Sequence, residues 1–443
     1  MTACDSKKLP ENVQSWGRYP KHFPATILRP AWRSDITFPN EGAVLGFGLG
    51  RSYGDSCHNS GGAIIDCSRL NRLLGFDETT GVLRCESGVS LGDILREFTP
   101  RGWFLPVTPG TKFVTVGGAV ANDVHGKNHH CEGTFGRHVL RFGLLRSDGV
   151  SLECSLESNS DLFRATIGGM GLTGIITWAE IQLKRIETPF IAKESRRFSS
   201  LDEFFDISTE FDARFAYTVS WTDCVSPQKY GRGILMAGDH AAASDSLPGV
   251  PHPRTKTFPF DMPSLALNRY SILAFNAAYY RSHFSQLRRN IEYYDSFFYP
   301  LDAILHWNRV YGRRGFLQYQ FHVPFSAGKK VVSDIFSHIA RSGEGSFLAV
   351  LKTFGSIKSP GLMSFPREGV NLALDFPFRG KSTLKLLDEL DETVADAGGA
   401  VYPAKDARMS AKSFKKFFPQ WIEFARFVDQ KFSSDFWRRV SDG

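Results

Sequence analysis

Two textures of apolar and polar positions divide the chain. Up to about residue 187, short aliphatic runs alternate with glycine turns. Residues 62–66, 81–86, 140–145 and 174–183 each read as strands. Residues 89–98 switch period: apolar side chains at 91, 94, 95 and 98 follow Ser90, which predicts a short helix capped by Ser90. Residues 161–166 read as another helix. Beyond 187 the pattern becomes strands at 215–221, 315–323, 347–354 and 370–376, interleaved with helices at 199–205, 328–342 and 382–397. That mixture predicts an α+β second domain. Residues 238–268 hold five prolines and little apolar periodicity, and read as a long mobile loop. Residues 413–439 read as terminal helices.

Composition narrows this picture only a little. The 443 residues suffice for two or three domains, and 42% hydrophobic with 22% charged residues is ordinary for a globular chain. Seven cysteines, odd in number and without a CxxC pair, argue against a disulfide framework or a zinc knuckle. The net charge of +7 is compatible with anionic ligands or an anionic membrane surface, but no basic stripe or nucleic-acid module accompanies it, so no nucleic-acid partner is expected. Residues 1–10 lack the apolar core of a signal peptide and no run of about 18 apolar residues occurs. A cytoplasmic protein, peripheral at the inner membrane, is the expectation.

The chemistry concentrates in glycine-rich segments. Residues 114–130 (VTVGGAVANDVHGKNHH) begin like a buried strand and then gather Asn122, Asp123, a lysine and three histidines. Gly117, Gly118 and Gly126 leave room for a flat or anionic group to approach the backbone. Residues 48–55 (GLGRSYGD) offer a run of amides that can nest a pyrophosphate without a Rossmann helix, and residues 109–111 (PGT) form a third side. Residues 169–174 match G-x-G-x-x-G, but a helix precedes them and a strand follows, the reverse of the dinucleotide unit. Gly380-Lys-Ser382 lacks the upstream glycine of a P-loop, because Asp375 stands there; Ser382 reads instead as a helix cap. His125, His129 and His130 lack an acidic partner and an unbroken helical face, so no metal is expected. Gln318 and Gln320 share one strand face, either solvent or sugar-binding. Lys405, set between Gly399 and Arg408, could bind a substrate oxygen or offset charge on a flavin.

These segments, with Trp307-Asn-Arg309, residues 315–321 (GFLQYQF) and Ala404-Lys-Asp406, resemble the decaprenylphosphoryl-β-D-ribose 2-oxidases, flavoproteins of the vanillyl-alcohol oxidase superfamily. The likeness runs from about Trp16 to the C-terminus. It implies a two-domain PCMH-type FAD-binding fold: an FAD domain over 1–187, an inserted antiparallel-sheet substrate domain over 188–399, and a segment 400–443 completing the FAD domain. It implies oxidation of the 2-hydroxyl of a polyprenyl-phosphoryl ribose to the 2-keto sugar, with a separate NAD(P)H-dependent keto-reductase completing epimerisation to the arabinose form. Carried onto this chain, it assigns FAD contacts to Gly46, Phe47, Gly48, Leu49, Gly50, Arg51, Ser52, Tyr53, Gly54, Asp55, Ser56, Gly110, Thr115, Val116, Gly117, Gly118, Asn122, Asp123, Val124, His125, Ile176 and Tyr402. Lys127, Trp307, Gln318, Gln320, Lys352 and Lys405 would bind substrate. Lys405, His125, Tyr53 and Gln320 would carry catalysis, with Lys405 or His125 as the base.

Departures from the family matter as well. Arg51 stands where many superfamily members attach FAD through a histidine, which implies non-covalent FAD. Ala373 replaces a cysteine of the mycobacterial members, and Asn122 another. The rival readings are a soluble sugar or alditol oxidase of the same superfamily, and a flavin-binding assembly protein without turnover.

Overall fold

Three sheets organise the chain. The protein is described by a computed structural model covering residues 13–226, 231–251, 255–263 and 266–441. A small parallel sheet orders Thr26–Leu28, Ala63–Asp66 and Val44–Phe47. Beside it an antiparallel five-stranded sheet runs Leu73–Asp77, Val82–Glu86, Ile175–Gln182, Val139–Leu145 and Ser151–Ser155. The helix Leu91–Phe98 buries Leu91, Ile94, Leu95 and Phe98, the four predicted positions. Its start is fixed by Ser90, whose Oγ accepts the Asp93 amide at 3.0 Å while the Asp93 carboxylate accepts the Ser90 amide.

The third sheet has eight antiparallel strands in the order Leu287–Tyr293, Phe190–Phe198, Gly233–His240, Tyr217–Thr222, Ala349–Phe354, Gly369–Pro377, Phe316–Val323 and Ala400–Val401. Helices Leu201–Asp212, Phe325–Ser342 and Lys381–Asp396 cover one face. In the helix Phe325–Ser342 the buried residues Val331, Val332, Ile335, Phe336 and Ile339 recur with helical spacing and pack on that sheet. Ala400–Val401 pairs with the end of Phe316–Val323, so the segment expected to return to the first domain begins as the last strand of this sheet. The chain end then docks on the first glycine loop. The Ser433 amide donates to Val44 O at 3.1 Å, and Arg439 pairs with Asp55 at 2.7 Å and Asp406 at 2.9 Å.

Two expectations are corrected. Residues 116–121 are a helix, not a strand, although Thr115 still bridges Ser90 as a strand residue would. Thr115 Oγ1 accepts the Gly118 amide at 3.1 Å, which turns the chain, and Gly117 leaves just enough room for Ser87. The helix Lys381–Asp396 is capped by Gly380, and the Ser382 hydroxyl faces Glu344 instead. Within 238–268, Lys256–Thr257 pairs with Ile304–Leu305, and Arg309 Nη1 donates to Phe258 O at 2.9 Å. Residues 252–254 and 264–265 of that loop lie outside the described residues. Among the described residues no helix is long and apolar enough to cross a membrane, and Cys57, Cys67, Cys85, Cys131, Cys154 and Cys224 are free thiols.

Candidate active site

A single cavity of about 1900 Å³ lies between the first glycine loop, the helix Val116–Ala121 and the eight-stranded sheet. One end is backbone. The strand Val44–Phe47 delivers the chain into the loop 48–53, where Gly50 takes φ +61° and a Cβ would strike Gln14 O. The amides of Gly48, Leu49, Gly50, Arg51 and Ser52 donate to no protein acceptor among the described residues, leaving a row of donors toward the cavity. The amides of Val116, Gly117 and Gly118 are engaged by Val89 O, Ser87 O and Thr115 Oγ1, so the first loop is the better pyrophosphate cradle. Arg51 donates to Leu49 O at 2.7 Å and lies 4.4 Å from the Trp16 ring. These free amides and the volume fit a dinucleotide such as FAD.

Of the expected cofactor residues, Gly46, Phe47, Gly48, Leu49, Gly50, Arg51, Ser52, Tyr53, Ser56, Gly110, Thr115, Gly117, Gly118, Asn122, Val124, His125, Ile176 and Tyr402 line this cavity. Gly54, Asp55, Val116 and Asp123 do not. Gly54 packs against Asp406 O, and the Asp55 carboxylate is held by Arg439. Val116 is fully buried in the core. The Asp123 carboxylate accepts the Gly136 amide at 2.8 Å and the hydroxyls of Ser359 and Ser364, which pins the turn from outside the cavity.

The other end is made of side chains, and Lys127, Trp307, Gln318, Gln320, Lys352 and Lys405 all face it. Lys405 Nζ sits 3.7 Å from the Tyr53 ring centre, on the turn that follows Tyr402. Burial pushes its ammonium down to about 7, against the opposing pull of Asp375. Lys352 Nζ donates to Gly126 O at 2.9 Å and is pushed down to about 7 by burial, then by Lys127 and Lys405. Lys127 Nζ donates to Phe298 O at 3.2 Å and falls to about 8, chiefly through burial. His125 Nε2 lies 2.9 Å from Gln320 Nε2, so its lone pair is engaged by that amide, and burial followed by Lys352 holds its pKa well below the usual value. That removes His125 as a free base in this arrangement. Tyr402 O–H donates to Asn122 O at 2.7 Å, and its ring stacks on Phe365 at 4.6 Å.

Two further residues complete the site. Asn371 Oδ1 accepts from Gln320 Nε2 at 3.0 Å, fixing that amide. Asp375 accepts Gln318 Nε2–H at 2.6 Å and Tyr311 O–H at 3.2 Å, and burial lifts its carboxyl to about 7. The alternation of Asn371, Ala373 and Asp375 with leucines was the available signal. It mirrors Gln318 and Gln320 across the strand pair, where Gln318 faces Asp375 and Gln320 faces Ala373. Asp375→Asn removes the anion that raises Lys405, so the proton leaves Lys405 at lower pH. The acid limb of kcat/KM should therefore move to lower pH, read from steady-state rates; an unmoved limb would separate Asp375 from Lys405.

Residues 36–155 match the FAD binding domain family. With a free-amide cradle opening onto half-buried lysines and a glutamine pair, the fold and site define an FAD-dependent oxidoreductase. Full-length similarity narrows the class. The chain is 38% identical to the decaprenylphosphoryl-β-D-ribose oxidase of Mycolicibacterium smegmatis over 99% of both chains. It is 34% identical to an uncharacterised protein of Streptomyces coelicolor over 77% of this chain and 96% of that one. Mouse L-gulonolactone oxidase is similar over a shorter stretch, 29% identical across 34% of this chain. The chain belongs to the decaprenylphosphoryl-β-D-ribose oxidase family.

Proposed function

We propose that this protein oxidises the 2-hydroxyl of the ribosyl unit on a polyprenyl phosphate to the 2-keto sugar. The observation that carries this reading is the full-length similarity to the mycolicibacterial enzyme, joined to three half-buried lysines facing one cavity. Bound FAD supplies the hydride acceptor. Gln318 and Gln320, each held by a second side chain, orient the sugar hydroxyls. Lys405, poised near neutrality, takes the hydroxyl proton at Nζ, and as a cation it would suit negative charge on bound FAD. Lys127 and Lys352 make no ion pair among the described residues and suit the substrate phosphate. FAD is held non-covalently, since Arg51 occupies the tether position and is itself engaged by Leu49 O and Trp16. The product requires a separate NAD(P)H-dependent keto-reductase, and the enzyme works peripherally at a membrane.

The test is anaerobic. The yellow protein should bleach on addition of a polyprenyl phosphoribose, and acid precipitation should release all of its flavin. Bleaching by free alditols but not by the lipid would instead favour a soluble oxidase. No bleaching by either would favour a flavin-binding assembly protein.

A further inference from the structure

The cavity continues beyond the sugar site past the rings of Phe347, Phe275, Tyr279 and Trp221, which line it. Behind this lining two buried rings connect it to Tyr53: Tyr53 meets Phe316 at 5.3 Å, Phe316 stacks on Tyr311 at 4.1 Å, and Tyr311 stacks on Phe347 at 5.6 Å. Phe347 then meets Phe275 at 5.5 Å, Phe275 stacks on Tyr279 at 6.0 Å, and Tyr279 meets Trp221 at 4.8 Å. Phe275 and Tyr279 lie on the helix Arg269–Ser282 and also line the cavity, so the cavity opens beside this helix.

That mouth is unusually apolar for a surface. The helix buries Ile272 and Asn276 but leaves Tyr270 81% exposed, and just beyond it Phe284 is 90% exposed. Phe260, another cavity-lining ring, is 60% exposed. Exposed aromatics scattered singly are ordinary, whereas a cluster around a cavity mouth marks an interaction surface. Charge says which one. Residues 262–290 contain Arg269, Arg281, Arg288 and Arg289 and no aspartate or glutamate. Arg289 reaches Glu194, while Arg269, Arg281 and Arg288 are exposed. Aromatic side chains beside arginines without carboxylates are the composition of a segment seated in the head-group layer of an anionic bilayer.

We infer that the helix Arg269–Ser282 and the chain through Arg288 dock on an anionic lipid bilayer, and that the isoprenoid chain of the substrate runs from the sugar site past the lining rings of Phe347, Phe275 and Tyr279 into that bilayer. The route rests on the lipid-substrate reading above; the docking face stands on exposure and charge. It also accounts for a mouth of this character on a cavity whose inner end is polar: the phosphosugar enters while its hydrocarbon remains in hydrocarbon.

The test uses the intact FAD-loaded protein. It should sediment with vesicles of phosphatidylglycerol and phosphatidylcholine, weakly with phosphatidylcholine alone, and less in high salt. The double variant Tyr270→Asp/Phe284→Asp, altered outside the cavity lining, should bind anionic vesicles roughly tenfold more weakly. Its turnover of vesicle-borne long-chain prenyl phosphoribose should fall in parallel, while bleaching by a detergent-solubilised short-chain prenyl phosphoribose stays at the wild-type rate. Wild-type protein that ignores anionic vesicles, or a double variant that binds them undiminished, overturns the docking face. Slowed bleaching of the variant by the short-chain substrate would overturn it too, by placing these side chains in the site. If neither lipid bleaches the wild type, the substrate reading fails, and the vesicle result still decides the surface.

Discussion

Lys405→Ala should retain its yellow flavin and lose flavin reduction by on the order of 10²–10⁴-fold, the range for removing a positioned proton-transfer group. The expectation follows from where Lys405 sits. Its Nζ lies over the Tyr53 ring, and burial has brought its ammonium to about 7, where a lysine can both accept a proton and hold it as a cation. His125 is a poor substitute, because Gln320 engages Nε2, and burial followed by Lys352 makes its ring a weak base. Lys352 is directed to Gly126 O rather than to Tyr53. Stopped-flow reduction by polyprenyl phosphoribose measures the effect, and the FAD absorbance per protein controls for loss of cofactor. A variant that keeps its flavin and reduces it at the wild-type rate would remove Lys405 from the chemistry.

Much of this site was legible because its signals are local. A glycine loop with Arg51 and Ser52, the Gln318–Gln320 alternation and a capped helix at Ser90 each declare themselves within ten residues. The helix Val116–Ala121 was misread because six residues of valine, alanine and glycine carry no period that separates helix from strand. Thr115 as a cap decided it, and a threonine is equally at home in a strand. Asn371 and Asp375 were passed over because polar groups within an apolar strand become meaningful only once the facing strand is known, and that register brings Asp375 opposite Gln318. Asp55 and Asp123 have the opposite history. They sit in cofactor-like sequence, yet their partners are Arg439 and Ser364, hundreds of residues away in the chain, and no local pattern announces such pairing.

That distant pairing carries the largest expected effect on stability. Arg439 joins the terminal helix Asp435–Ser441 to two buried carboxylates, Asp55 beside the glycine loop and Asp406 beside Lys405. Arg439→Met keeps much of the side-chain volume but leaves the buried Asp55 carboxylate without its charged partner, while Asp406 keeps the Arg408 and Met409 amides. Breaking a buried pair in this way costs roughly 3–5 kcal/mol. The loss should depend on pH with a definite sign. Even with Arg439 present, burial raises Asp55 to about 6, so the folded state binds this proton more tightly than the unfolded chain does. Stability from this group is therefore present at low pH and declines as pH rises toward 6. Without the guanidinium the folded carboxyl rises further, so Arg439→Met should be damaged more at pH 8 than at pH 5. Denaturant unfolding of the FAD-loaded protein at the two values measures this. Because Asp55 adjoins the free amides of the loop, the variant should also release FAD more readily at pH 8, seen as flavin fluorescence in the filtrate. An equal loss of stability at both pH values would mean that the helix is held by its apolar contacts, Phe436 and Val440, rather than by the charge it delivers to the loop.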